Sequence, residues 1–316
     1  MDMDAKRFPL HVLLGTGATL LIFVVSLRVP ILGLGTVLLT PLPVMIVCRL
    51  WDLRGGILVV LIASLVISAT ISPFLGAIFF TEFGLMGLLL YHWVEEKKLS
   101  WDRGILLSSF IVLGTLALLV VVRSRMATLN IEDWMREEIH ETGRRILGTH
   151  LADTTTAQSP MVNLESLTDF TVRILPALMI LTVWLEGIMN VALLTWFTNR
   201  FVSGHRRAVM RPEFSLWVFP DQLVWGGILG GFLIVSRIRP LVTIGLNTVI
   251  LLLAIYFLQG MAVVSFFFKK KKVPLGFRMM SYILIGLVQL LLLLVAALGL
   301  FDIWVDFRNL RRKTAV

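Results

Sequence analysis

Nine long runs of apolar residues dominate the chain, and short polar or charged stretches separate them. Each run approaches the ~20 residues that an α-helix needs to cross the ~30 Å hydrocarbon core of a bilayer. The runs are Leu10 to Leu27, Ile31 to Cys48, Gly55 to Ile71, Phe74 to Val94, Gly104 to Val122, Phe170 to Thr198, Leu216 to Ser236, Leu241 to Phe268 and Met279 to Leu300. The pattern predicts an all-α fold, a polytopic transmembrane helical bundle of about nine spans.

Eight spans are the alternative, because the run Leu216 to Ser236 contains Pro220, Asp221 and four glycines. The third and fourth runs are joined only by Ser72 and Pro73, a break that predicts a helical hairpin.

The composition agrees with a membrane protein. Hydrophobic residues make up 57% of the chain, charged residues only 16%, and the mean hydropathy is +0.89, whereas a soluble domain carries roughly 25% charged residues. The single cysteine, Cys48, excludes an internal disulfide framework.

The distribution of Lys and Arg predicts a cytoplasmic amino terminus, because cationic connections resist translocation. With that orientation, 16 Lys and Arg residues fall in cytoplasmic connections, whereas the short outer connections hold only Arg28, Arg237 and Arg239. Nine spans also place the carboxyl terminus outside, although the tail carries Arg308 and three further basic residues at 311–313. The side of the carboxyl terminus therefore stays open.

The only long polar stretch divides the chain into three predicted parts: an amino-terminal five-helix membrane bundle (1–122), an extracytoplasmic amphipathic helix with a flexible loop (123–169), and a carboxyl-terminal four-helix membrane bundle with basic cytoplasmic loops (170–316). Asn130 followed by Asp133 predicts a helix start, and we expect Trp134 at headgroup depth. This helix is either packed on the bundle or a mobile lid over an outward-facing pocket.

Two carboxylates stand out near the middle of apolar runs, where insertion of an ionised acid costs about 2.5–3.5 kcal/mol. Glu186 lies near the middle of the sixth run, and Thr182 and Asn190 lie four residues before and after it, on one helix face. Glu82 lies near the middle of the fourth run. Either each carboxyl is protonated or paired inside the bundle, or the group binds a substrate or carries protons. Asn247 and Gln259 are the further candidate substrate-binding residues.

Small residues and cations suggest packing and lipid contacts. Gly226, Gly227, Gly230 and Gly231 form overlapping small-residue motifs that favour close helix packing, within the chain or in a homo-oligomer. Lys269, Lys270, Lys271 and Lys272 follow three phenylalanines, where they are expected to contact anionic lipid headgroups.

Sequence motifs for catalysis and cofactors are absent from the chain. It has no Gly-rich nucleotide loop, nucleophile elbow or paired-cysteine metal spacing, so we predict neither an enzyme nor a cofactor or metal centre. Its cations are spread over many connections, which argues against nucleic acid as a partner.

The chain resembles the YybS-like bacterial membrane proteins, a domain family of unknown function, over nearly its whole length and most specifically after Phe170. The resemblance rests on Pro176 through Asn190, on Arg211 to Trp217 with Pro220 and Trp225, on Tyr256 to Gly260, and on Leu298 to Asp302 with Asp306 to Arg308. It implies a bacterial plasma (inner) membrane protein, and the amino-terminal helices are loosely similar to substrate-binding components of energy-coupling-factor transporters.

Two functions follow from these observations. The first is binding or transport of a small molecule through an intramembrane polar cavity. The second is a non-transporting scaffold or regulatory protein that contacts cytoplasmic protein partners through its basic loops.

Overall fold

The computed structural model describes residues 2–29, 33, 35–151, 164–201 and 214–310, and within these ranges every regular element is helical. The α-helices of the described chain are α1 (Asp2–Arg28), α2 (Pro41–Thr70), α3 (Pro73–Phe79), α4 (Leu85–Leu90), α5 (Trp101–Met126), α6 (Ile131–Leu151), α7 (Leu164–Phe201), α8 (Leu223–Val235), α9 (Arg239–Lys270), α10 (Leu275–Leu287) and α11 (Gln289–Val305). Two π-helical segments, Phe80–Gly84 and Tyr91–Glu96, follow α3 and α4. The predicted all-α class is confirmed for the described residues.

Among the described residues, fewer than nine helical stretches are long and apolar enough to span a bilayer. Six described stretches pass on length and hydropathy: Arg7–Arg28, Val37–Thr70, Pro73–Glu96, Trp101–Met126, Leu164–Arg200 and Arg239–Lys270. The pair α10 and α11 passes jointly but is bent by 103°, which makes seven if the pair is one span. Helix α8 is apolar but shorter. The predicted count of nine is therefore not confirmed.

Helix α2 folds back on itself at Trp51 and Asp52. Asp52 has a φ of 58°, in the left-handed region, and Trp51 is also non-helical. A straight helix would hold Cys48 and Gly56 about 12 Å apart, but a Cβ placed on Gly56 would collide with the Cys48 sulfur. Cys48 and Val60 also share one buried cluster. The helix therefore consists of two packed arms, which correspond to the second and third apolar runs.

The chain divides into two compact units. The first comprises Met1–Val172 and Leu178–Met210, and the second comprises Arg173–Ala177 and Arg211–Val316. This division differs from the boundaries expected at 122/123 and 169/170, because most of α7 packs with the amino-terminal helices. A Cβ on Gly187 of α7, for example, would meet the side chains of Met86 and Ile105.

The amphipathic helix α6 begins where the sequence predicts. Asn130 caps it, since its Oδ1 accepts a hydrogen bond of 2.8 Å from the Asp133 amide. Trp134 is buried and makes an edge-to-face contact with Phe74, which covers apolar surface of the indole; its expected position at headgroup depth stays a prediction. The contact favours the packed-helix alternative over the lid.

In the second unit, glycines bring α9 close to its neighbours. The α8 glycines face α9: Gly230 approaches the Gly245 backbone, and Gly226 and Gly227 lie near Leu252, whereas a Cβ on Gly231 would meet nothing within 4 Å. Their packing partner is therefore within the same chain.

Helices α9 and α11 are in even closer contact, because a Cβ on Gly260 or Gly299 would fall well inside van der Waals distance of the facing backbone. Tyr256 and Ile303 join the same buried cluster. Gly260 faces Val295 and Tyr256 faces Gly299, so residue numbers rise along one helix as they fall along the other and the two helices run antiparallel.

Replacing Gly260 by Ala is expected to lower the melting temperature of the detergent-purified protein. The added methyl group would overlap the Val295 carbonyl, and overpacking of this kind costs about 1–3 kcal/mol. The matched control is Gly286→Ala in α10, where a Cβ meets nothing within 4 Å and where Ala gains roughly 0.5–1 kcal/mol of helix propensity. Equal melting temperatures for the two variants would contradict the close packing.

Candidate functional site

Glu186 is the most unusual side chain of the first unit. It lies on the buried stripe of α7 and has no exposed surface, and neither of its carboxyl oxygens has a hydrogen-bond partner among the described residues. Gly187 beside it contacts Met86 of α4 and Ile105 of α5, so α7 crosses both helices at this point. A buried acceptor left unpaired costs about 1–3 kcal/mol, and a charged one costs more.

Glu82 lies in the same unit, in the π-helical segment Phe80–Gly84. The segment packs against α2 and α5, and Phe83 contributes to the aromatic cluster with Phe23 and Phe79. Glu82 is half-buried and close enough to Glu186 for their carboxyls to interact electrostatically. A π-helical turn shifts the register of the residues after it, and such turns are frequent at functional sites.

Asn190 completes this group, one turn after Glu186. Its Nδ2 donates to the backbone oxygens of Leu38 and Glu186, both at 2.7 Å. Because both amide protons are committed, the amide orientation is fixed, and its buried Oδ1 has no donor among the described residues. We name Glu82, Glu186 and Asn190 the carboxylate site.

The sequence also placed Thr182 on this face, and the structure does not. Thr182 is exposed, and its hydroxyl donates to the Leu178 oxygen within its own helix. The buried stripe of α7 here is formed by Val183, Glu186, Gly187, Asn190, Val191 and Leu194. Thr182 therefore falls beside the stripe, because successive i+4 steps drift by about 40° around a helix with 3.6 residues per turn.

Asn247, another candidate, bonds to the backbone of α7 beside a proline. Pro176 lies inside that helix, and the amide of the next residue, Ala177, donates to Asn247 Oδ1 at 2.7 Å. Asn247 Nδ2 donates to the Arg173 oxygen at 2.7 Å. The side-chain amide thus bridges the Ala177 amide and the carbonyl four residues before it, as a side chain inserted into a helical hydrogen-bond ladder does.

Gln259 belongs to a buried polar network in the second unit. Its Oε1 accepts from the Phe219 amide at 3.4 Å, and its Nε2 donates to Asp302 at 3.3 Å. Arg308 donates to Asp302 Oδ2 at 2.7 Å and to the Ser215 backbone oxygen at 2.9 Å. The side chains of Asp302 and Arg308 are 4% and 0% exposed, so this is a buried, multiply bonded ion pair.

Sequence reasoning did not find this ion pair. Asp302 lies two residues beyond the last apolar run, and Arg308 was counted as a cation of the tail. The spacing of six residues is not a helical contact distance. The chain reverses instead after α11, where Asp306 adopts a left-handed conformation with a φ of 47° and the Phe307 amide donates to Asp302 Oδ1.

The four lysines expected at lipid headgroups are all exposed at the end of α9. One of them has a protein contact, because Lys269 Nζ donates to Ser215 Oγ at 3.2 Å.

A large cleft lies at one end of the first unit, between the end of α5, helix α6 and the start of α7. Its volume is about 850 Å³. Six acidic residues and three arginines line it: Asp133, Glu137, Glu138, Glu141, Glu165 and Asp169, with Arg123, Arg136 and Arg144. Among the described residues, no group of three or more His, Cys, Asp and Glu side chains has metal-binding geometry.

Comparison with known proteins identifies the chain at the family level. The model of a family described as predicted membrane protein (DUF2232) matches residues 17–303. No curated protein and no solved structure matches the chain. The YybS-like resemblance, and the looser one to energy-coupling-factor components, stay predictions.

Replacing Asn247 by Leu is expected to destabilise α7 near Pro176. The Arg173 oxygen and the Ala177 amide would each lose the side-chain partner that Asn247 provides, and the free energy of unfolding should fall by about 1–3 kcal/mol for each buried group left unpaired. Hydrogen exchange of the peptide containing Ala177 should become faster than in the wild type. The control is Thr248→Val, because that exposed hydroxyl bonds only within its own helix; unchanged exchange in Asn247→Leu would contradict the bridging role.

Replacing Arg308 by Met is expected to destabilise the second unit by about 3–5 kcal/mol, since Asp302 would remain buried without its cation. The double variant Asp302→Leu with Arg308→Met removes both charges and should unfold at a higher temperature than Arg308→Met alone. A double-mutant cycle from thermal or denaturant unfolding measures this coupling. Strictly additive losses would show that the two side chains do not stabilise each other.

Proposed function

The chain belongs to the DUF2232 family of predicted membrane proteins, and from that premise we propose that it binds a small solute at the carboxylate site and carries it across a bacterial inner membrane. The observation that carries the proposal is Glu186. It is fully buried, and both of its carboxyl oxygens are unpaired among the described residues.

The other buried acids of the chain support a binding role over a structural one. Asp302 accepts bonds from Arg308, Gln259 and the Phe307 amide, and Glu95 forms a buried ion pair with Arg49. This chain therefore provides partners for carboxylates that only stabilise the fold. A carboxylate left without a partner within a membrane helix typically marks a substrate or ion pathway.

The topology proposed with this function has nine crossings and a cytoplasmic amino terminus. The two arms of α2 cross separately, because Asp52 reverses the chain between them. We assign residues 217–220 to the same crossing as α8, because Gln259 provides the Phe219 amide with an acceptor there, as non-helical backbone within a membrane requires. Helix α10 follows the inner surface, and α11 crosses outward, antiparallel to α9.

A scaffold function is the second candidate, and it is favoured by the exposure of Lys270, Lys271 and Lys272 at the end of α9. Cations there would contact anionic lipids or an acidic protein partner. Three further basic residues of the sequence, Arg206, Arg207 and Arg211, precede α8 and lie outside the described residues. Neither an enzymatic activity nor a cofactor is part of either proposal.

Native mass spectrometry of the protein extracted with its own lipids tests the solute-binding function. We expect a small-molecule adduct on the wild type and roughly tenfold less on Glu186→Gln, because a hydrogen bond to a charged group contributes about 1.5–3 kcal/mol. The control is Glu96→Gln. It removes an exposed carboxyl whose contact is His92, in the same π-helical segment Tyr91–Glu96.

Melting temperatures within a few degrees of the wild type would show that each variant is folded. A wild-type protein without any adduct, or an adduct equally abundant on Glu186→Gln, would count against solute binding at this site.

A further inference from the structure

Six buried oxygens that have no partner in the described structure belong to the carboxylate site or to residues close in sequence to its contacts. They comprise both Glu186 carboxyl oxygens, the Asn190 Oδ1 and the buried hydroxyls of Thr40, Ser108 and Ser109. The three hydroxyls are close in sequence to residues that contact the site. Thr40 lies two residues after Leu38, whose carbonyl accepts from Asn190. Ser108 and Ser109 lie one turn after Ile105, which a Cβ on Gly187 would contact. Carboxylate, amide and hydroxyl oxygens are ligands for hard cations and acceptors for ammonium groups.

Asn190 can offer only its side-chain oxygen to a ligand. An asparagine amide can usually offer either end to a ligand, but here the Leu38 and Glu186 carbonyls hold the NH₂ group. The end left over is an acceptor with a partial negative charge. A ligand that contacts it must donate a hydrogen bond or carry positive charge.

The site has no balancing protein cation in the described part of the chain. The ion pairs found there involve Arg49 with Glu95, His92 with Glu96, Lys98 with Glu95, Arg136 with Glu132 and Asp169, and Arg308 with Asp302. None includes Glu82 or Glu186. Two carboxyls in apolar surroundings require positive charge from elsewhere, because each uncompensated charge is costly there.

The cleft at the start of α7 is lined by more acidic than basic side chains, so it also favours cations. Its six acidic residues outnumber its three arginines, so it concentrates cations from the surrounding water. Asp169 of this cleft and Glu186 lie on the same helix, about 25 Å apart at 1.5 Å rise per residue. The acidic character therefore occurs at two depths of the first unit.

We propose that the carboxylate site takes a monovalent cationic group, either an alkali metal ion or the ammonium group of an organic solute. This inference rests on the proposed function and names its substrate class. One such cation together with one proton neutralises the two carboxyls. A divalent ion held wholly by protein takes six or more oxygen ligands, commonly from several carboxylates, and the described residues contain no group of three or more His, Cys, Asp and Glu side chains that could hold a metal ion.

Thermal unfolding in detergent at constant ionic strength tests the proposal, with choline chloride replaced stepwise by sodium, potassium or ethylammonium chloride. We expect at least one of these cations to raise the melting temperature, by roughly 2–4 °C for each tenfold increase in its concentration above its Kd. The rise should be lost in Glu186→Gln and reduced in Glu82→Gln. It should persist in the control Glu96→Gln.

The choice of cation distinguishes an alkali metal ion from an organic ammonium group. A rise with sodium or potassium alone assigns the site to an alkali ion, and a rise with ethylammonium alone assigns it to an organic ammonium group. An equal rise in Glu186→Gln, or dependence on pH without any response to the cations, overturns the proposal. A Glu186-dependent neutral or anionic adduct in native mass spectrometry would also overturn it, while leaving solute binding intact.

Discussion

The absence of water from a bilayer interior requires each buried polar group to find its partner within the protein, and most of this structure can be understood from that requirement. Asn247 provides partners for two backbone groups of α7 beside Pro176, the Ala177 amide and the Arg173 carbonyl. Gln259 provides an acceptor for the Phe219 amide in the non-helical segment before α8. Two candidates for substrate binding are thus engaged by the backbone.

Against this background, the carboxylate site is defined by what the chain leaves unpaired. Buried Asp302 and Glu95 each pair with an arginine, whereas neither carboxyl oxygen of Glu186 has a partner among the described residues. The difference separates two classes of buried acid in one protein. The first class stabilises the fold, and the second is suited to a ligand that supplies the positive charge.

Much of the architecture could be predicted from the sequence, because the apolar runs required by a bilayer are long and clear. The helix start at Asn130 was also readable, since its cap involves neighbouring residues. Contacts between distant residues were not readable. The face of α7 that is buried, which excludes Thr182, depends on where Met86 and Ile105 lie, and the pairing of Asp302 with Arg308 depends on a chain reversal at Asp306.

The short separation of Asp302 and Arg308 bears on biosynthesis. Groups six residues apart leave the ribosome close together, and the reversal at Asp306 brings them into contact, while Gln259 and the Ser215 carbonyl add hydrogen bonds from more distant parts of the chain. The short separation allows the two charges to cancel each other as this hydrophobic segment enters the translocon. Partition into lipid then becomes easier for a stretch that would otherwise carry an unshielded aspartate.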